Sequence, residues 1–361
     1  MLASVTCFGG PAQAQIGSIF AHLTDGKSPG VAVLVRKGGR TVFQRGYGVR
    51  DLRTFRKIDS RTNFRLASCT KQFTAMATML LAHDGKLRYD MRLTDIFPDF
   101  PDYGRAITVR HLLTHTSGLP DYEDLMGDTW TASHQIQDEE VLRLLKHAAP
   151  KFASGTSWAY SNSGYVLLGL IVARISGAPF PQFLHDRIFQ PLHMTGSVAY
   201  VKGKNTVPNR AFGHTKENGR FIESDQSGTS ATLGDGGIYS NIDDLAKWDA
   251  ALQNHSLLSQ EEMRAAWQPV TLADGSEPHW PKIPGDDNLN PGKLVSYGFG
   301  WFLDTYKTHA RMWHFGSTMG FRTAVERFTQ ERLTIIILCN RTDLDPGALA
   351  LQAADPVMRN R

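Results

Sequence analysis

The stretch Arg65-Leu66-Ala67-Ser68-Cys69-Thr70-Lys71-Gln72-Phe73-Thr74-Ala75-Met76-Ala77-Thr78-Met79-Leu80-Leu81 decides how the rest of the chain reads. From Gln72 to Leu81 it is rich in strong helix formers and free of Gly and Pro. Phe73, Met76, Ala77, Leu80 and Leu81 fall on one apolar face, which predicts a buried helix with Ser68 at or just before its first turn. Ser68 and Lys71, three residues apart, then share a face, close enough for an amine to hydrogen-bond a hydroxyl. A serine hydroxyl needs a neighbour to take its proton, and a lysine does so where desolvation or nearby positive charge lowers its pKa. The helix N-terminus adds unpaired N–H groups and a partial positive charge. A Ser–Lys pair at this spacing arises about once by chance in a chain this long. A capping serine followed by a solvated lysine explains it as well, so the pair needs support from elsewhere.

Upstream, Val31-Ala32-Val33-Leu34-Val35 and Thr41-Val42-Phe43 flank Gly38-Gly39, a hairpin signal. Strand character returns only near the other end, at Val295 to Tyr306, Ala310 to Phe315, Phe321 to Phe328 and Leu333 to Leu338, followed by a helix from Pro346 to Met358. Between them lie helices. Val109 to Thr114, Asp138 to Ala149, Tyr165 to Ile175 and Phe180 to Phe189 all carry helical spacing, and Ser240-Asn241-Ile242-Asp243 opens an amphipathic helix through Leu252 as a capping-box pattern with Asp in place of Glu. Tyr89 to Ile107 and Thr271 to Lys293 are broken by proline and glycine and read as loops, and Asn218-Gly219 marks a small hairpin. The expected fold class is α/β (α+β): one antiparallel sheet built from both chain ends, with a helical lobe inserted. Residues 15–361 then form a single two-lobed domain, the sheet lobe over about 15–65 and 290–361 and the helical lobe over about 66–289, with any cleft between them.

Composition narrows the function. The chain has 361 residues and a formal net charge of +4 spread without basic blocks, which argues against nucleic-acid binding. No stretch is long and apolar enough to span a bilayer. Cys7, Cys69 and Cys339 form neither a CxxC nor a Cys/His metal spacing, and their odd number argues against a disulfide framework. His111 and His115 stand four apart, but no Glu follows His111 and no third ligand is evident, so they are assigned structural roles and no metal or cofactor is expected. Residues 1–14 end in the small-x-small pattern Ala12-Gln13-Ala14 expected before a signal-peptidase cut. They are read as a signal-peptide remnant of an exported, periplasmic or secreted protein.

Two stretches add chemistry to Ser68. Tyr160-Ser161-Asn162 offers a phenol that shares a proton with a lysine and an amide that holds a carbonyl or orients the lysine; a buried aromatic with an N-cap asparagine is the bland alternative. Its echo, Tyr239-Ser240-Asn241, is explained by capping alone. On a late strand, His314-Phe315-Gly316-Ser317 supplies polarisable or positive character at His314, a glycine that lets a substrate backbone lie alongside, and an oxyanion donor in the Ser317 N–H. The stretch from His111 to Pro120 has no evident chemistry of its own.

Taken in order, Ser68-Cys69-Thr70-Lys71, His111-Leu112-Leu113-Thr114-His115-Thr116-Ser117-Gly118-Leu119-Pro120, Tyr160-Ser161-Asn162, Gly236-Gly237-Ile238-Tyr239-Ser240 and His314-Phe315-Gly316 resemble the serine β-lactamase and penicillin-binding-protein superfamily, on the class C β-lactamase-like branch with D-Ala-D-Ala carboxypeptidases, D-aminopeptidases and family VIII esterases. The resemblance runs from about Gly30 to Asn340 and implies the β-lactamase/DD-peptidase-like fold. It also implies an acyl-enzyme on Ser68, with Lys71 and Tyr160 as joint base and proton shuttle, Asn162 orienting groups, and the N–H groups of Ser68 and Ser317 as oxyanion hole. His314-Phe315-Gly316 departs from the Lys-Thr-Gly of class C enzymes: a fixed cation and a hydroxyl are lost, which argues against efficient β-lactam hydrolysis. The substrate is an ester, a D-amino-acid peptide or a β-lactam, chosen by loops such as Asp121 to Trp130 and Thr271 to Lys293. The alternative is a non-catalytic or slowly deacylating penicillin- or peptidoglycan-recognition sensor on the same fold.

Overall fold

The computed structural model describes residues 10–282 and 292–358. Cys7, most of the expected signal remnant and part of the Thr271 to Lys293 loop lie outside them. A helix α1 (Pro11–Ile19) precedes the hairpin β1 (Val31–Lys37) and β2 (Arg40–Tyr47). The turn that carries Ser68 (Ala67–Thr70, 3₁₀) runs into α2 (Lys71–His83); α3 (Asn162–Ser176), α4 (Ile242–Asn254) and α5 (Gln260–Trp267) follow. Strands β3 (Phe302–Tyr306), β4 (His309–Thr318), β5 (Phe321–Phe328) and β6 (Leu333–Cys339) lead to α6 (Pro346–Ala354). The six strands form one antiparallel sheet in the order β3-β4-β5-β6-β1-β2, so β1 from one chain end pairs with β6 from the other, Val31 opposite Cys339.

That central pairing explains the unbroken apolar runs, because strands covered on both faces need no polar alternation. Val31, Val33, Val35, Ile335 and Ile337 join the core under α1 and α6, while Ala32, Leu34, Ile336 and Leu338 join the larger core that holds α2, α3 and α4. A buried charge fixes α4 to the sheet. Asp249 accepts from Arg327 Nε (3.1 Å), Thr334 Oγ1 (2.7 Å) and Arg36 Nη1 (3.3 Å).

Most expected elements are present, with local corrections. The cap of α4 is Asn241, whose side chain accepts from the Asp244 N–H, not Ser240, which sits in a short strand Ile238–Ser240. Val295 to Tyr306 is strand only from Phe302, since the chain before it turns through Gly298 and Gly300. The loop from Tyr89 to Ile107 holds a helical turn, Leu93–Ile96, and a 3₁₀ turn, Asp102–Ala106. Among the described residues, helices that were not expected include α1, which overlaps the end of the stretch read as an export signal, a short one at Tyr122–Leu125 in the Asp121 to Trp130 loop, and α5, opened by a capping box between Ser259 and Glu262. No single helix among the described residues is long and apolar enough to cross a membrane.

Candidate active site

Of residues 62–81 only Ser68 is not buried. The turn that presents it is strained: Ala67 takes φ +48°, a left-handed conformation that costs a non-glycine residue energy and persists only where the surroundings impose it. The surroundings are visible. Leu66 N–H donates to the Ile238 carbonyl (2.8 Å), Thr323 Oγ1 to the Leu66 carbonyl (2.8 Å) and Arg65 Nε to the Gly236 carbonyl (3.2 Å). The Gly236 to Ser240 stretch is therefore a clamp on the turn that carries Ser68.

Lys71 is fully buried, and its Nζ lies 3.1 Å from Ser68 Oγ, 2.8 Å from Asn162 Oδ1 and 3.1 Å from the Asp235 carbonyl. Burial lowers its pKa from 10.5 to about 8, opposed by the charges of Asp235, Asp121 and Glu123. Tyr160 lies beside it, with Nζ 4.9 Å from the ring centroid and the phenol in hydrogen-bonding relation to Ser68. Burial of the phenol raises its pKa well above 10, so Tyr160 rests protonated and Lys71 is the group that titrates near neutrality. The structure thus brings Ser68, Lys71, Tyr160 and Asn162 together. Asn162 is the first residue of α3 rather than its cap. Its Nδ2 donates to Glu123 Oε1 (3.2 Å) while its Oδ1 faces Lys71.

The stretch from His111 to Pro120 is the scaffold for that loop. His115 is buried and accepts from the Ser161 N–H at Nδ1 (3.1 Å), its carbonyl accepts from the Ala159 N–H (3.0 Å), and its ring lies 4.4 Å from that of Tyr160. Burial and the Lys71 charge hold its pKa well below 6.5, so it is neutral. Gly118 has φ +75°, and a Cβ there would stand 2.0 Å from the Phe152 carbonyl oxygen, which no side chain tolerates. His111 caps its own short helix through Thr108, and no metal-ligating cluster occurs among the described residues. Cys69 is buried, with burial raising its thiol to about 12, which leaves it inert beside Ser68.

On β4 the side chains alternate: His314 and Gly316 point inward, Phe315 and Ser317 outward. His314 supplies no positive charge. Buried against Tyr297 OH (3.2 Å), its pKa falls from 6.5 to about 3 through burial and the Lys71 charge. The place of a Cβ on Gly316 is taken by the Leu66 carbonyl oxygen, 2.2 Å from where that atom would be, so the glycine lets β4 press against the turn that carries Ser68. Arg322, paired across from Ser317, spends its Nη1 on the Thr318 and Phe321 carbonyls.

Three carboxylates went unread in the sequence. Asp121 accepts from the Asn162 N–H (2.7 Å), and Asp235 accepts from Tyr122 OH (3.1 Å) while its main chain holds Lys71. Burial and the neighbouring Asp121 raise Glu123 to about 7, although much of the residue is open to solvent. For two of them position was the one sequence signal: Asp121 and Glu123 fall within three residues after Pro120. A cavity of about 680 Å³ between α4, α5 and β3–β5 is lined by neither Ser68 nor its partners, so concavity alone does not locate the chemistry.

Known proteins resemble this chain over most of its length. The beta-lactamase family model matches residues 16–356. A penicillin-binding protein of Bacillus subtilis is 28% identical over 341 residues, covering 90% of this chain and 71% of that protein. The crystal structure of a penicillin-binding protein from Bacillus halodurans superposes with a TM-score of 0.76 at 26% identity, over 95% of this chain and 99% of that one. A D-amino acid amidase from Ochrobactrum anthropi, complexed with L-phenylalanine amide, does so with a TM-score of 0.77 at 25% identity, over 96% of both chains. With a matching family model over nearly its whole length and the fold of these relatives, the chain belongs to the beta-lactamase family and is a serine hydrolase of that fold.

Proposed function

We propose that this chain hydrolyses a small ester or amide through an acyl-enzyme on Ser68. The observation that carries the reading is the buried Lys71 amine, 3.1 Å from the half-buried Ser68 hydroxyl and with a pKa lowered to about 8. Ser68 Oγ bonds to the substrate carbonyl carbon as its proton passes to the Lys71–Tyr160 pair. The N–H groups of Ser68 and Ser317 hold the oxyanion, and Tyr160 returns a proton to the departing oxygen or nitrogen. Water then splits the acyl-serine ester and restores Ser68. Which member of the pair takes the first proton is a property of the coupled pair, not of either residue.

A neutral His314 offers no fixed cation to a β-lactam carboxylate, which favours esters and amides such as those of D-amino acids over β-lactams. The kinship with penicillin-binding proteins favours one second reading, a slowly deacylating penicillin acceptor. Intact-mass time courses with a penicillin, read beside drug hydrolysis, separate the two: a persistent adduct on Ser68 means a penicillin acceptor, and untouched drug with turnover of short esters or D-amino-acid amides means the hydrolase. Ser68→Ala must abolish both. The small-x-small pattern ending at Ala14 supports export. Cleavage there removes Pro11 to Ala14 from α1 and leaves the buried Ile16 in place, and N-terminal sequencing of secreted protein should begin at Gln15.

A further inference from the structure

The cavity of about 680 Å³ between α4, α5 and the sheet has the size of a small-molecule site and lies away from Ser68. Its floor is one row of the sheet. Leu303, Met312, Arg327 and Thr334 stand opposite one another across β3, β4, β5 and β6, and the row continues to Arg36 on β1. Its roof is Leu252 of α4 and Trp267 of α5. Ala310, also on its wall, is six residues along β4 from Gly316, which packs on the turn that carries Ser68; that is about 20 Å of strand.

The charges on that row do not balance. Arg36 and Arg327 are both more than nine-tenths buried, and among the described residues they share a single carboxylate, Asp249. Arg36 also donates to the Ala246 and Gly39 carbonyls. Arg327 gives Asp249 only its Nε (3.1 Å), its guanidinium lies 5.8 Å from the Trp301 ring, and among the described residues no hydrogen bond takes its Nη1 or Nη2. Asp304, the one acid on the cavity wall among the described residues, is held by Arg311 Nε (2.7 Å) and Nη2 (2.6 Å), while the exposed Arg332 adds a further cation at the rim. A buried guanidinium short of counter-charge is stabilised by an anion, and the open Nη fork matches a carboxylate. Leu252, Leu303, Met312 and Trp267 make the rest of the space apolar. We propose that this cavity binds a small carboxylic acid with an apolar tail, its carboxylate on Arg327 and its chain between Met312 and Trp267. The site stands apart from Ser68 and needs no turnover to fill.

Calorimetric titration of the whole chain at neutral pH with octanoate, octanol and butyrate is the test. Octanoate should bind one to one, about tenfold or more tighter than octanol, which keeps the tail and loses the charge, and about tenfold or more tighter than butyrate, which keeps the charge and loses most of the tail. Arg327→Met should remove the advantage over octanol. Ala310→Phe, which fills the cavity from a half-buried position on β4, should weaken octanoate about tenfold or more with melting no lower, and it carries the test where Arg327→Met does not fold. Ser68→Ala should bind octanoate as the wild-type protein does. No binding, octanoate bound no tighter than octanol or butyrate, wild-type affinity in Ala310→Phe, or binding lost in Ser68→Ala overturns the proposal.

Discussion

Replacing Asp235 with asparagine tests how the site makes a base of Lys71. An ordinary lysine with a pKa of 10.5 is a free amine in about one molecule in three thousand at pH 7; at a pKa of about 8 the fraction is about one in ten. The difference corresponds to about 3 kcal/mol, and it arises from burial acting against three carboxylates, of which Asp235 opposes it most. kcat/KM should therefore rise with pH through a midpoint near 8, as the ammonium loses its proton, with the phenol of Tyr160 still protonated there. Asparagine keeps an acceptor for Tyr122 but removes the charge that favours the ammonium, so the midpoint should move to lower pH by about one unit. Rates measured from pH 5 to 10 on one ester, with circular dichroism at each pH, give the answer. A midpoint that stays in place or moves to higher pH would refute this account of Lys71.

Three further outcomes follow from the geometry. Tyr160→Phe should lower kcat on the order of a hundredfold, the scale of a lost proton shuttle, while melting stays within a few degrees. Gly316→Ala puts a Cβ on the Leu66 carbonyl and should cost about 1–3 kcal/mol of stability together with kcat, read by chemical denaturation and kinetics on the same samples; a silent substitution would contradict the close packing of β4 on the turn. Asp249→Ala strands Arg36 and Arg327 without their buried counter-charge and should cost about 3–5 kcal/mol in urea denaturation while leaving the chemistry to any protein that stays folded.

Helices and strands were legible because their signals are local. The 3.6-residue period of Phe73, Met76, Ala77 and Leu80, and the apolar runs at Val31 and Leu333, depend only on near neighbours and on which faces are covered. The boundaries that slipped did so where two local signals competed. At α4, Ser240 and Asn241 are both good caps, and pairing of Ser240 with Phe64 in a small sheet left the cap to Asn241. At α1, a short apolar segment beside a small-x-small pattern reads equally as an export signal and as a helix.

The sequence by itself determined that Ser68 and Lys71 stand side by side, because they lie three residues apart on one backbone. The order of the remaining motifs determined the family. Only the tertiary structure decided what state those groups are in. Asn162 reaches Lys71 across 91 residues and the Asp235 carbonyl across 164, and the burial that lowers Lys71 and holds His314 neutral comes from elements packed against them, not from their neighbours in the chain. Gly316 teaches the same point: a glycine on a strand announces a close approach, but which atom approaches depends on where the fold brings the Leu66 carbonyl. Charge and contact depend on distance in space, and it is the packing of the whole chain that sets those distances.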